Sequence, residues 1–108
     1  MSHTVLLTDG AARDLDELYA DAYDRGGSVM ADRFLDRIQG CLERIAAEAP
    51  SGQTLPDLRR LGLDDGRVLR DGDLRFVYRL RVADALVVLI AHERRSLQSL
   101  LQRRTLDS

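Results

Sequence analysis

A chain of 108 residues has room for one hydrophobic core and not for two. With 44% hydrophobic residues, 31% charged residues and only two prolines, its composition suits a folded soluble domain and excludes a disordered tail or a fibre. The formal charge of −2 hides a polarity: residues 1 to 66 carry 7 Arg against 13 Asp and Glu, residues 67 to 104 carry 9 Arg against 4, and no basic residue is a lysine, which excludes lysine-based chemistry.

Thr4 to Thr8 is short, β-branched and apolar, and predicts a strand ending at Asp9-Gly10. Beyond it Leu15, Leu18, Tyr19 and Ala22 recur at helical spacing, with Arg13, Asp14, Asp16, Glu17 and Asp21 opposite, and Thr8 or Asp9 is placed to cap the helix. Arg25-Gly26-Gly27 stops it. Ser28 then opens a second helix with Met30, Phe34, Ile38, Cys41, Leu42 and Ile45 on its apolar face. So short a link forces the two helices into an antiparallel hairpin, which ends at Ala49-Pro50-Ser51-Gly52.

Residues 50 to 65 are irregular, with a short helical turn expected over Asp57 to Leu61; Leu55, Leu58, Leu61 and Leu63 are too apolar to stay entirely in water. From Arg67 the period becomes two. Arg67 to Arg70, the turn Asp71-Gly72 and Leu74 to Val82 predict a hairpin, with Leu74, Phe76, Tyr78, Leu80 and Val82 on one face and Arg75, Val77, Arg79 and Arg81 on the other. Ala85 to Ala91 is apolar on both faces and predicts a central strand. After His92-Glu93-Arg94-Arg95, Ser96 caps a short third helix with Leu97, Leu100 and Leu101 as its apolar stripe and Arg103 and Arg104 at its end. The expected fold class is α+β in the order β-α-α-β-β-β-α, one domain over residues 1–108, with a helical hairpin packed on a small, twisted, mostly antiparallel sheet.

Several chemistries are excluded at once. One cysteine allows no internal disulfide and no multi-cysteine zinc site, and with two histidines no metal or cofactor is expected. Cys41 falls on the apolar stripe of the second helix, as a small buried hydrophobe does. The glycines never take a phosphate-loop spacing. The longest apolar run is strand length, far short of the ~18 to 20 residues of a membrane span, and Met1-Ser2-His3-Thr4 carries no leader pattern, so a cytoplasmic protein without membrane contact is expected.

One set of segments taken together resembles the ParE branch of the ParE/RelE toxin superfamily. The set runs Val5-Leu6-Leu7-Thr8, Ala11-Ala12-Arg13-Asp14-Leu15, Ala31-Asp32-Arg33-Phe34-Leu35, Pro50-Ser51-Gly52 and Leu58-Arg59-Arg60-Leu61-Gly62. It continues through Arg67-Val68-Leu69-Arg70, Leu74 to Arg79, Val87-Val88-Leu89-Ile90 and His92-Glu93-Arg94-Arg95 to the arginine-rich ending at Arg104. The resemblance covers nearly the whole chain. It implies a RelE/ParE-like fold and the toxin component of a type II toxin–antitoxin, or plasmid stabilization, system. It further implies growth inhibition through binding of DNA gyrase, and a ParD-like antitoxin that neutralises the toxin in a hetero-oligomer. The alternative within the superfamily is a RelE-like ribosome-dependent mRNA endonuclease, and a third class is a degenerate, non-toxic relative.

Residue chemistry separates the first two. RNA cleavage needs a general base, a general acid, a cation for the phosphorane and a positive surface. This chain has a sequence pI of about 5.6, no lysine and no tyrosine after Tyr78, so it is read as a non-enzyme without direct nucleic-acid binding. The nuclease candidates are Arg67, Arg75, Arg79 and His92. Binding asks only for bidentate arginine contacts with carboxylates; the gyrase-binding candidates are Arg94, Arg95, Leu100, Leu101, Arg103 and Arg104. An apolar groove for the antitoxin is expected from Tyr19, Tyr23, Leu58, Leu61, Phe76 and Tyr78.

Overall fold

The computed structural model describes residues 2 to 107, with side chains described through Arg104. The elements in order are β1 (Thr4–Leu7), α1 (Asp9–Glu48), a 3-10 turn (Ala49–Ser51), α2 (Pro56–Arg60), β2 (Gly66–Asp71), β3 (Leu74–Leu80), β4 (Asp84–His92) and α3 (Leu97–Asp107). Helix α1 is two arms joined at Gly26 and Gly27, whose backbone leaves the helical region. A straight 40-residue helix would run ~60 Å, whereas the longest dimension of the molecule is 39 Å, so the arms fold back on each other. Gly27 makes this reversal with φ 67° and ψ −156°, a conformation open essentially to glycine alone.

At the start of the first arm the Thr8 hydroxyl, not Asp9, accepts the Ala11 N–H at 3.1 Å, the N-cap bond a β-region threonine supplies. The Thr8 N–H donates to the Val87 carbonyl, so the cap is fixed to the sheet. The sheet order is β1-β4-β3-β2, with β1 parallel to β4 and the other pairs antiparallel. Both arms cover one face: Leu15, Leu18, Ala22, Phe34, Ile38, Cys41 and Ile45 pack with Leu74, Phe76, Tyr78, Ala85, Val87 and Ile90. The other face is covered by α2 and α3, where Leu58, Leu63, Leu97 and Leu101 meet Val68, Val77 and Leu89, with Leu55 and Leu61 alongside. Two covered faces explain why β4 is apolar on both sides, and β4 is central as its sequence requires.

Details differ from the sequence-based expectation. Strand β3 ends at Leu80, and Val82 is fully exposed in the following turn rather than continuing the inward set. The two-residue loop between β2 and β3 is Gly72-Asp73, because Asp71 pairs with Leu74, and only Gly72 has a positive φ, as the first position of a type II′ turn requires. Met30 is 39% exposed near the hairpin tip. Strand β4 carries a bulge: Val77 pairs with Leu89 and Tyr78 with Val87, which leaves Val88 without a partner on β3 and turns Val88 and Leu89 to the same face.

Candidate functional site

The bulge lies where β1 has run out. Strand β1 pairs with β4 only through Val87, so the next backbone groups on that edge need other partners. They are supplied from both helical layers. Asp14 Oδ2 on the first arm accepts the Ile90 N–H at 3.0 Å, and Arg104 Nη1 on α3 donates to the Val88 carbonyl at 2.7 Å. The two side chains also bond each other bidentately, Nη2 to Oδ1 at 2.9 Å and Nη1 to Oδ2 at 3.1 Å, with side-chain exposures of 23% for Arg104 and 14% for Asp14. Gly10, one turn before Asp14, makes room for them: a Cβ there would stand 2.6 Å from Arg104 Nη1. An open groove of about 760 Å³ runs beside this junction, between the start of α1, the β4 edge and α3.

Of the residues expected to touch gyrase, Arg94, Arg95 and Arg103 are exposed, and Arg95, Arg103 and the half-buried Leu100 line this groove. Leu101 is 1% exposed and docks α3 onto the sheet. Arg104 is held by Asp14 and the Val88 carbonyl, so its first role is to fasten α3.

The nuclease candidates are not brought together. Arg75 and Arg79 lie on the α3 side of the sheet, four residues and ~13 Å apart along β3. Arg67 and His92 pair in register with Tyr78 and Leu74 and therefore face the helical hairpin. Each is also occupied. Arg79 Nε bonds both carboxylate oxygens of Asp65 at 3.0 and 3.2 Å. Arg67 donates to the Gly66 carbonyl at 2.9 Å. Arg75 donates to the carbonyls of His92 and Arg95, and burial, with the charge of Arg70 beside it, holds its guanidinium below the usual arginine range. His92 Nε2 lies 3.0 Å from Asp73 Oδ2.

The six residues expected to line one antitoxin groove fall in two layers instead. Phe76 and Tyr78 are 0% and 1% exposed in the core under α1, and the Tyr78 hydroxyl donates to the Ala49 carbonyl at 2.7 Å. Leu58 is buried and Leu61 half-buried on the opposite face. Tyr19 is half-buried against the core, while Tyr23 is 53% exposed toward the hairpin tip. Period-two patterning gives the side of a strand and not what covers it, so buried aromatics were indistinguishable from groove-lining ones.

Sequence reasoning missed Asp14 and Arg37. Arg37 on the second arm clamps the β2–β3 turn, with Nε on Asp71 Oδ2 at 2.7 Å and Nη2 on Asp73 Oδ1 at 2.8 Å, and it also donates to the Asp71 carbonyl. These hydrogen bonds hold both carboxyls below the ordinary range. A signal for Asp14 was its spacing from Gly10, a small residue and a carboxylate one turn apart. Among the described residues no group of three or more His, Cys, Asp or Glu could hold a metal, and no helix is long and apolar enough to cross a membrane.

A family model for the ParE toxin of type II toxin–antitoxin systems, parDE, matches residues 5–97. None of the curated proteins matches. Among solved structures, a chain of the chromosomal ParDE TA system from P. aeruginosa has a TM-score of 0.66 at 18% identity, covering 84% of this chain and 96% of that one, a likeness of fold. The helical hairpin, four-stranded mixed sheet and short last helix share the fold of that structure, and by the family model the chain belongs to the ParE toxins of type II toxin–antitoxin systems.

Proposed function

We propose that this toxin inhibits growth by binding DNA gyrase in the cytoplasm, without catalysis, and that a ParD-like antitoxin neutralises it in a hetero-oligomer. The choice of gyrase rests on family membership. The choice of binding over RNA cleavage rests on one observation: Arg67, Arg75, Arg79 and His92 are split between the two faces of the sheet and engaged in internal bonds. An endonuclease needs its acid, base and cation within reach of one phosphate. The groups left available are Arg95, Arg103 and Leu100, which line the groove, and the exposed Arg94 next to Arg95 in sequence, suited to a partner's carboxylates and apolar side chains. Tyr23 and Leu61, the more accessible of the aromatic and leucine candidates, are proposed as antitoxin contacts.

The test pairs two assays: supercoiling by purified gyrase with toxin added, and mRNA cleavage on translating ribosomes. Inhibition in the first alone, relieved in Arg94→Glu/Arg103→Glu, supports the reading. Transcript cleavage that disappears in His92→Ala would overturn it. Arg104→Glu is unsuitable, because it would also break the junction with Asp14. For the antitoxin face, an unchanged dissociation constant after Tyr23→Ala and Leu61→Ala would remove the proposed contacts.

A further inference from the structure

A second surface lies on the α3 side of the sheet, around the corner from the groove. Arg60 on α2, Arg70 on β2, Arg75 on β3, and Arg94 and Arg95 before α3 surround an open pocket whose carboxylates among the described residues are Asp57 and Glu93. Asp57 is already shared with Arg60 at 3.6 Å. The pocket thus carries a net positive charge of three. Two features set it apart from a solvated arginine surface. Arg70 and Arg75 are direct cross-strand partners, a like-charged juxtaposition that costs stability unless an anion stands between them. Arg75, moreover, is only 8% exposed, and its buried Nε–H has no acceptor among the described residues. An unsatisfied buried donor of a charged group is expensive to keep. The start of α3 faces the same space: Ser96 Oγ accepts the Ser99 N–H at 3.3 Å, while Leu97 and Gln98 also line the pocket.

We propose that this pocket is a binding site for a small phosphate compound with a terminal phosphate or diphosphate, held by Arg70, Arg94 and Arg95 above the buried charge of Arg75, whose Nη2 stays on the His92 and Arg95 carbonyls. The ligand chemistry follows from charge and lining. A net charge of three gathered in one place matches the two to three charges of a terminal phosphate or diphosphate, whereas a phosphodiester backbone presents one charge per phosphorus spread along a chain. Among the described residues no aromatic side chain lines the pocket to stack a base, as single-stranded nucleic-acid sites do. Planar guanidinium forks match phosphate oxygens in pairs. The site shares Arg94 and Arg95 with the proposed gyrase contacts, but it does not rest on that reading, since it asks only that the toxin bind the anion.

The test is calorimetric titration of the full chain with inorganic diphosphate and with monophosphate, at ionic strength matched with chloride. Saturable one-to-one binding is expected, tighter for diphosphate, and weakened about ten-fold or more in Arg70→Gln and in Arg94→Gln. Arg33→Gln, an exposed arginine on α1, should leave it unchanged. Arg75→Lys tests the pocket floor, but the two surface variants decide the matter if that change disturbs folding. The proposal is overturned if the heats match the chloride control, if Arg33→Gln weakens binding equally, or if an oligoglutamate peptide displaces diphosphate at equal charge. An oligonucleotide without terminal phosphates that binds as tightly, through Arg70, would overturn it in favour of a phosphodiester site.

Discussion

The junction of Asp14, Arg104 and the β4 edge makes the sharpest stability prediction. Replacing Asp14 by Ala removes the acceptor of the Ile90 N–H, in a residue 2% exposed, and strips Arg104 of its carboxylate. A buried donor left unpaired costs about 1–3 kcal/mol. The lost ion pair adds about 1 kcal/mol, more than a surface pair and less than a fully buried one, because both side chains keep some solvent contact. The expected total is about 3 kcal/mol, on the order of 15 °C in Tm for a domain of this size. Asp14→Asn keeps an oxygen for Ile90 but loses the charge and turns an amide NH2 toward Arg104 Nη2, so it should cost about 1–2 kcal/mol, less than Asp14→Ala. Urea unfolding of Asp14→Ala, Arg104→Met and the double variant should give a coupling of about 1–2 kcal/mol. An Asp14→Ala midpoint within about 2 °C of the parent, or purely additive single costs, would refute the reasoning.

Other predictions follow from single side chains. Burial, and secondarily the charge of Asp71, pushes the Cys41 thiol up to about 11, so at pH 8 about one thiol in a thousand is ionised; disulfide-reagent labelling of the native protein should run at least about 100-fold slower than after unfolding in urea. Asp71 and Asp73, held low by Arg37, contribute stability that is full above the ordinary carboxylate value of about 4 and lost as pH falls through their lower folded values. Arg37→Gln should therefore cost about 1 kcal/mol at pH 7 and flatten the acid limb of the denaturation curve; an acid limb identical to the parent's would contradict the clamp. Gly27→Ala should cost about 1–3 kcal/mol in chemical denaturation through its backbone alone, since no side chain stands within 4 Å of the added methyl; an unchanged midpoint would mean that the hairpin tip relaxes freely.

Much of the architecture could be read from local patterns. The two apolar stripes separated by Gly26-Gly27 specify the helical hairpin, and the change to period two after Gly66 specifies β2 and β3. What escaped was set by distance in the chain. Nothing near Thr4 says that its strand pairs in parallel with residues 84 to 87, and nothing near Asp14 names a partner 90 positions away. The bulge at Val88 is invisible within a uniformly apolar run, yet it shapes the edge that Asp14 and Arg104 occupy. The candidate site was legible as a set of exposed arginines but not in its division: alternation put Arg67 and Arg79 on β2 and β3 without saying that opposite faces receive them.

The pairing of the first strand with the last has a consequence for biosynthesis. Residues 4 to 7 pack on α1 but find their backbone partners beside residues 84 to 87, and the fastening of α3 waits for residue 104. A growing polypeptide therefore holds its first strand without its sheet partner until residues 84 to 87 have been made, and the closure of so long a loop is slow. The last fastening of the toxin fold is thus a long-range event, joining a side chain at residue 104 to a strand edge at residue 88 and a carboxylate at residue 14.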